Sequence, residues 1–592
     1  MNVSDFVIKS LANQGIKDIF LLPGGGCMYL IDAIARLNLI TPHPMLHEQS
    51  VGIAAEAYSQ YGNSLGVALV TTGPGSTNAI TACAAAWTDS SPLIFISGQV
   101  KTQDLSEKYG VRQLGFQEIP ITQIVTPITK KAIRVDTVSE VPAVLRELIL
   151  EAKSDRPGPV WLDIPLDIQA KEIKVEPLEQ IVVEKSSSNL DARLIDQIIT
   201  SWNEARRPVL LLGNGVRISN CVDLVKNLLQ ISNTPALLTW KALDFLDDSD
   251  RLNAGRPGAI AQRWSNFAQQ TSDFILVLGA RLDLGQTAYR PENFAPNAKK
   301  FIVDIDLSEL NKLKSTGASL IHSDVKPVVE SLIERLNSRS LTRNDEWIDR
   351  IRGWKESYPL LQQKHLKPAS GVNLYEFITE LSKQMMPDDI LIPGSSGACS
   401  EIVMQAFKVK LGQRVLNSEG LGPMGFGIPA PIGGCIASGK KQTISIDGDG
   451  GFLMNVQELA TLKYKDLPVK IFVLNNDGYG SIKSSQDRYF EGRRLGTDKK
   501  SGLGLPDLEK MVNGFEISFY QVLERNELSF VIDQALQSRG PAVIEIRVDP
   551  NQLTEPRTYT EIDESGAFKT SPMEKLSPIL PDEELYSALR FD

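Results

Sequence analysis

Cysteine and histidine are scarce in this chain of 592 residues. The five cysteines (Cys27, Cys83, Cys221, Cys399, Cys435) are odd in number and scattered, and none forms a C-x-x-C pair. Neither a disulfide framework nor a zinc site is therefore expected, and reduced thiols in a cytoplasmic protein fit best. Four histidines (His43, His47, His322, His365) argue against a His-rich metal site. No apolar run approaches the roughly 20 residues of a membrane span. The opening MNVSDFVIKSLANQG has the spacing of an amphipathic helix, not of a signal peptide. There is no excess of positive charge either: 62 Lys and Arg against 72 Asp and Glu leave −10, which argues against a nucleic-acid surface. Disorder is excluded by 42% hydrophobic residues with mixed charge.

The chain is too long for a single core, since cores stop growing near roughly 250–300 residues. Short Val/Ile/Leu runs alternate with helical stretches along its length, among them GVALVTT, PLIFISG, PVWLDIP, RPVLLLGNG, DFILVLGA, QTISIDGDG, VKIFVLNN and PAVIEIR. Apolar runs flanked by Gly and Pro read as strands buried on both faces of parallel sheets, so the fold class is α/β. Residues 174–189, charged and then Ser-rich, and 337–368, polar at first, read as connectors. They leave doubly wound domains at about 1–175, 190–340 and 369–550 and a tail at 551–592.

The first and third blocks repeat one order of features: helix, strand ending in a glycine turn, Gly/Ala-rich helix, then strand ending in G-x-G before a helix. NVSDFVIKSLANQGIKDIFLLPGGG answers to NLYEFITELSKQMMPDDILIPGSSG. Any two α/β domains look alike at this level, but the matching order of turns favours a duplication. The first and third domains are expected to share a topology, and the middle one to be Rossmann-like.

The strongest chemical signal lies in the third block. Gly448-Asp449-Gly450-Gly451 follows one strand, and Asn475-Asn476 closes another. A strand-end glycine turn points backbone N–H groups at a phosphate. Asp449 adds a carboxylate oxygen and Asn476 an amide oxygen, the hard ligands that Mg²⁺ takes together with phosphates. Both sit at carboxyl ends of strands, where α/β sheets bind ligands. Alone, GDG is common as a bare turn; the two-part pattern is more specific.

GDGGFLMNVQELATLKYKDLPVKIFVLNNDGYG resembles the thiamine-diphosphate signature of the acetolactate synthase and pyruvate oxidase/decarboxylase group. The resemblance extends over nearly the whole chain through PGGG (23–26), HEQS (47–50), TTGPGSTN (71–78), FQE (116–118), GARLD (279–283) and EGLGPMGFGIPA (419–430). It implies a pyrimidine-binding first domain and a diphosphate-binding third. Asp449, Asn476 and the Gly478 carbonyl would hold Mg²⁺, with Gly448, Gly450, Gly451 and Tyr479 in the same motif. Ser395, Ser396 and Gly397 would lie near the diphosphate, and the Gly422 carbonyl would meet the aminopyrimidine. Met424 matches the residue that props the cofactor into a bent shape; core filling is the ordinary use of methionine. Glu48 matches the glutamate that exchanges a proton with the pyrimidine N1′, chemistry that asks for a carboxyl in a dry pocket. Phe116, Gln117 and Gly26 would face the reacting carbon, although Gly24–Gly26 also reads as a simple tight turn. His47 is a shuttle or a structural hydrogen-bonding group.

By the same resemblance, Glu48 and the Mg²⁺ site come from different subunits, so the active unit is a homodimer at least, with a tetramer expected. The implied reaction is decarboxylation of a 2-oxo acid, pyruvate first, with transfer of the acyl anion to a second carbonyl. Release of an aldehyde and an inactive binding paralogue are the alternatives. One departure stands out: where acetolactate synthases carry G-M-V-x-Q-W-Q, this chain has Gly480-Ser481-Ile482-Lys483-Ser484-Ser485-Gln486, with Ser485 at the Trp position. Arg488, Arg493 and Arg494 follow, either to meet a phosphate-bearing acceptor or as a solvated face. The pattern is similar to carboligases of sugar gene clusters such as that of the yersiniose pathway, whose acceptor is a keto sugar on a nucleotide. The middle domain is a candidate for FAD, with Gly213, Gly215 and Arg281 as its contacts. Tails of related enzymes fold over the active site; the sequence leaves the role of this one open.

Overall fold

The computed structural model describes residues 1–183, 191–338, 341, 344–368, 370–562 and 565–591. The Ser-rich end of the first expected connector lies outside the described residues, as do the boundary positions 190, 340 and 369. Among the described residues no helix is long and apolar enough to cross a membrane, and all five cysteines are buried.

Three six-stranded parallel sheets organise the chain. The first is built from Asp18–Leu21 (β1), Thr41–Pro44 (β2), Gly66–Val70 (β3), Leu93–Gln99 (β4), Lys131–Arg134 (β5) and Pro159–Pro165 (β6), in the order β2-β1-β3-β4-β6-β5. The second holds Pro208–Leu212 (β7), Ala236–Leu238 (β8), Asn253–Gly255 (β9), Phe274–Leu278 (β10), Lys299–Asp304 (β11) and Ser319–His322 (β12), ordered β12-β11-β10-β7-β8-β9. Ile390–Leu391 (β13), Arg414–Val415 (β14), Thr443–Gly448 (β15), Val469–Asn475 (β16), Ser518–Val522 (β17) and Ala542–Arg547 (β18) make the third, ordered β14-β13-β15-β16-β18-β17. Counted from its own first strand, the third sheet repeats the order of the first. The middle sheet has the doubly wound 3-2-1-4-5-6 order of dinucleotide-binding folds.

The inner strands, such as β3, β7 and β10, are apolar because both faces are covered, whereas edge strands such as β2 and β12 are partly exposed. In β7, Leu210 and Leu212 enter one core cluster and Val209 and Leu211 another, on opposite faces of the sheet. The first and third domains share a core. The helices Glu48–Gly62 and Pro429–Ala437 occupy equivalent places in the two domains and pack face to face, Ala54 and Ala57 joining Ile428 and Ile432 in one cluster. Small residues permit the approach: a Cβ on Gly433 would stand 2.0 Å from the Ala54 carbonyl oxygen.

Residues 337–368 are not a bare connector. They carry the helix Asp345–Ser357, whose Trp347, Ile351 and Trp354 are buried against the middle domain. Its charged exposed face had masked this apolar stripe. The tail also carries regular elements. Its short antiparallel pair Thr560–Ile562 (β19) and Phe568–Thr570 (β20) and its helix Asp582–Leu589 lie along the middle domain. Leu585 and Ala588 pack with Trp347 and Trp354.

Candidate active site

The GDGG and NN segments meet at the carboxyl ends of β15 and β16. Asp449 is buried, with Oδ1 accepting from the Gly450 N–H (2.8 Å) and Oδ2 from the Gly478 N–H (2.9 Å). Burial pushes its carboxyl up to about 6. Beside it, Oδ1 of Asn476 is buried without a hydrogen-bond partner, a costly state that a cation would relieve. Glycines are required by contact here. Gly478 has φ +133°, and a Cβ on it would meet the Thr497 carbonyl oxygen at 2.0 Å; one on Gly450 would stand 2.2 Å from the Tyr479 ring. Among the described residues no group of three or more His, Cys, Asp or Glu side chains is placed to hold a metal. An ion at Asp449 and Asn476 would take its other ligands from backbone carbonyls such as that of Gly478, and from phosphate.

Two further turns border this pocket. Ser395, Ser396 and Gly397 follow β13, and Ser395 Oγ donates to the Pro423 carbonyl (2.8 Å), tying that turn to Gly422 and Met424. Gly422 is left-handed at φ +62°. Met424 is only half-buried and belongs to none of the buried apolar clusters, so it is not core filling. Ser481, at the start of the helix Gly480–Tyr489, lies against Gly397, and Ser485 is exposed with its hydroxyl on the Ser481 carbonyl (3.1 Å).

In the first domain, Glu48 opens the helix Glu48–Gly62. His47 Nδ1 accepts from the Gln49 N–H (3.1 Å), so His47 is the helix cap. Glu48 is buried; Oε2 accepts from Asn78 Nδ2 (2.9 Å), while Oε1 faces Gly75. Around it, the Gly26 N–H donates to Thr71 Oγ1 (3.0 Å), and Gln117 stands at φ +65° with its carbonyl over Gly73. Phe116 is 85% exposed, so the fold leaves its ring in the open.

Within one chain, the two clusters are joined by polar contacts at the shared helix interface. Gln49 Nε2 reaches the Met424 carbonyl (3.5 Å), Ser50 Oγ donates to Asn455 Oδ1 (3.0 Å), and Asn455 Nδ2 donates to the Gly425 carbonyl (2.7 Å). Sequence reading missed Asn78, Asn455 and Gln49. The only signal for Asn78 was its place in TTGPGSTN, and Asn455 had none, because a lone amide looks the same on a solvated face.

The middle domain opens a cavity of about 1170 Å³ at the carboxyl end of its sheet, lined by the three expected residues Gly213, Gly215 and Arg281. The Gly215 N–H donates to the Gly279 carbonyl (2.9 Å), and Arg281 Nη1 donates to the Thr88 carbonyl of the first domain (3.0 Å). Asp89, Lys241 and Glu419, one from each domain, also line it, and Lys241 Nζ pairs with Asp89 at 3.0 Å. Burial pushes the Glu419 carboxyl up to about 8. Arg557, Thr558, Thr560 and Thr570 close one side, so the tail covers this cavity. It touches the helix Gly480–Tyr489 where Arg488 Nη2 donates to the Thr560 carbonyl (3.2 Å).

The basic stretch is largely neutralised. Arg494 is clamped by both oxygens of Asp487 and by Asp498, and Arg493 pairs with Glu491. Of the three arginines, Arg488 alone has no recorded carboxylate partner among the described residues; it stacks on Tyr489.

Comparison with known proteins follows the same three-part division. Residues 1–124 match the thiamine pyrophosphate enzyme N-terminal TPP binding domain, 195–332 the central domain and 395–546 the C-terminal TPP binding domain. The chain is 32% identical to acetolactate synthase 1, chloroplastic, of Zea mays, over 96% of this chain and 88% of that protein. It is 31% identical to acetolactate synthase isozyme 1 large subunit of Escherichia coli (strain K12), over 93% of this chain and 95% of that one.

Proposed function

Because the chain belongs to the thiamine pyrophosphate enzymes of the acetolactate synthase type, we propose that it decarboxylates pyruvate and joins the two-carbon unit to a second carbonyl compound. Thiamine diphosphate supplies the electron sink for that chemistry. Asp449, Asn476 and the Gly478 carbonyl hold Mg²⁺, and Ser395, Ser396, Gly397, Gly448, Gly450, Gly451 and Tyr479 shape the diphosphate cradle. Gly422 and Met424 carry the pyrimidine end. Glu48 holds and moves a proton at Oε1, the oxygen that Asn78 leaves unengaged. Gly26, Phe116 and Gln117 face the 2-oxo acid. The unpartnered Asn476 oxygen beside the buried Asp449 carries this reading, because a cation bound to the diphosphate would satisfy that oxygen.

The acceptor is a 2-oxo acid, a ketone or a nucleotide-linked keto sugar. Exposed Ser485 and its neighbour Ser481 favour a polar, roomy acceptor side. Arg488 remains for a phosphate-bearing acceptor, whereas Arg493 and Arg494 are taken by carboxylates. FAD would fit the middle cavity, whose size and glycine turn suit a dinucleotide, with Gly213, Gly215 and Arg281 to hold it. The protein works as a homo-oligomer, a dimer at least. Mass spectrometry of products from pyruvate with a panel of 2-oxo acids, ketones and nucleotide-linked keto sugars tests the reaction. A ligated product identifies the acceptor. Acetaldehyde alone would replace this reading by simple decarboxylation, and unconsumed pyruvate would replace it by an inactive binding protein.

A further inference from the structure

Behind the Gly26 turn, the ends of β4 and β6 carry a buried hydrogen-bonded network that the proposed chemistry leaves unused. Gln99, the last residue of β4, is 2% exposed. Its Oε1 accepts from Thr72 Oγ1 (2.9 Å) and from the Val100 N–H (3.0 Å). Its Nε2 donates to the Ile119 carbonyl (2.9 Å) and to Asp163 Oδ2 (3.0 Å). This uses the full capacity of the amide, and its orientation is forced, because the Val100 N–H can only donate and the Ile119 carbonyl only accept. Asp163 is buried in β6, and its Oδ1 accepts from Ser97 Oγ (2.6 Å), which accepts in turn from Trp161 Nε1 (2.8 Å).

The other end of the network is the segment 117–119. Thr72 Oγ1 stands 3.4 Å from the Gln117 carbonyl. Gln117 itself is left-handed at φ +65°, a conformation a residue with a side chain keeps only when its surroundings impose it. Gly73 makes room for it: a Cβ there would lie 2.3 Å from the Gln117 oxygen. Between the Gln117 and Ile119 carbonyls, the Glu118 carboxylate accepts from the N–H groups of Ser106 (2.6 Å), Leu114 (2.9 Å) and Gly115 (3.3 Å). Glu118 and Ile119 are thus held by hydrogen bonds and Gln117 is hemmed in by Thr72 and Gly73, while Phe116 next to them is open.

We infer that Gln99 is a positioning residue for the reaction: braced by Asp163, it sets the left-handed turn at Gln117 and so the place from which Gln117 meets the 2-oxo acid. The inference rests on the role proposed above for Gln117. Steady-state kinetics with pyruvate and titration of thiamine diphosphate by fluorescence quenching test it, on Gln99→Leu, Gln117→Ala and the double variant. Gln99→Leu is expected to lower kcat/KM about 10-fold, the scale of a lost buried hydrogen bond, with cofactor affinity kept within about twofold. The double variant is expected to be no worse than the more damaged single one, since both act through the same turn. Unchanged kcat/KM in Gln99→Leu, losses that multiply in the double variant, or a loss confined to cofactor affinity would each overturn the inference. A silent Gln117→Ala would remove the role of Gln117 and this inference with it, a result distinct from a silent Gln99→Leu alone. Should Gln99→Leu not fold, Thr72→Val takes its place in the same cycle, with Thr72→Ser expected to restore wild-type kinetics.

Discussion

The carboxyl of Glu48 has one oxygen held by Asn78 and the other turned to Gly75 in a buried site at a helix start. Glu48→Gln keeps the size of the side chain but not its exchangeable proton. It is expected to lower kcat by about 100-fold or more, the usual share of a proton-transferring group; activity near wild type in a pyruvate-consumption assay would contradict the role. Glu419 makes a different prediction. Its pKa is raised to about 8 by burial beside Asp89 and Asp283, against the pull of Lys241 and Arg281. The folded state therefore binds that proton more tightly than the unfolded chain, and stability contributed at low pH is lost as pH rises from the ordinary carboxylate range toward 8. Glu419→Gln is neutral throughout, so its thermal midpoint should gain on wild type between pH 5 and pH 8; a pH-independent difference would contradict this. Glu48, Asp449 and Asn476 were legible in the sequence because each lies in a run whose order and strand-end setting are specific. Gln99 and Asn455 were not, because a single polar residue acquires meaning only from what faces it across the fold.

Among the elements, the helices Glu48–Gly62 and Pro429–Ala437 matter most, because their contact packs the first domain against the third. Their Ala and Gly content was visible as a pattern, but not which helix they faced. Gly433→Val forces a branched side chain against the Ala54 carbonyl. Such overpacking costs about 1–3 kcal/mol, to be read as a lower thermal midpoint accompanied by loss of activity; an unchanged midpoint would show that the helices part freely. The helix Asp345–Ser357 was hidden by its charge, since only its buried stripe of Trp347, Ile351 and Trp354 shows that it belongs to a core. In the helix Gly480–Tyr489 and the stretch after it, run-on basic residues suggested an anion site. Spacing alone could not reveal that Asp487 and Asp498 close on Arg494.

Over the whole molecule, the tail is the strap of the middle domain. Arg263 Nη2 donates to the Pro578 carbonyl (2.7 Å), Asn266 Nδ2 to the Met573 carbonyl (2.8 Å), and Phe591 lies under Arg207 (4.5 Å). Removal of residues 572–592 uncovers Trp347 and Trp354 together with the polar helix Arg263–Thr271, whose nine residues are all buried. The truncated protein should unfold at a lower temperature and, if the middle cavity takes FAD as proposed, bind it more weakly, since Arg557 and Thr558 of the cavity wall lose their support. Differential scanning calorimetry and flavin fluorescence titration measure the two effects; an unchanged midpoint would contradict the strap.

The sequence by itself determined the α/β class, the duplicated outer domains, the family and the strand-end motifs. These follow from local apolar runs and glycine turns, which dictate strands buried on both faces and loops at their carboxyl ends. Tertiary structure alone decided which side chains complete those motifs. The unpartnered Asn476 oxygen, the Gln99–Asp163 brace, the cavity shared by Asp89, Lys241 and Glu419, and the course of the tail all depend on contacts between residues far apart in the chain. Such contacts leave no periodic trace, because burial and hydrogen bonding are properties of the packed arrangement and not of any segment taken alone.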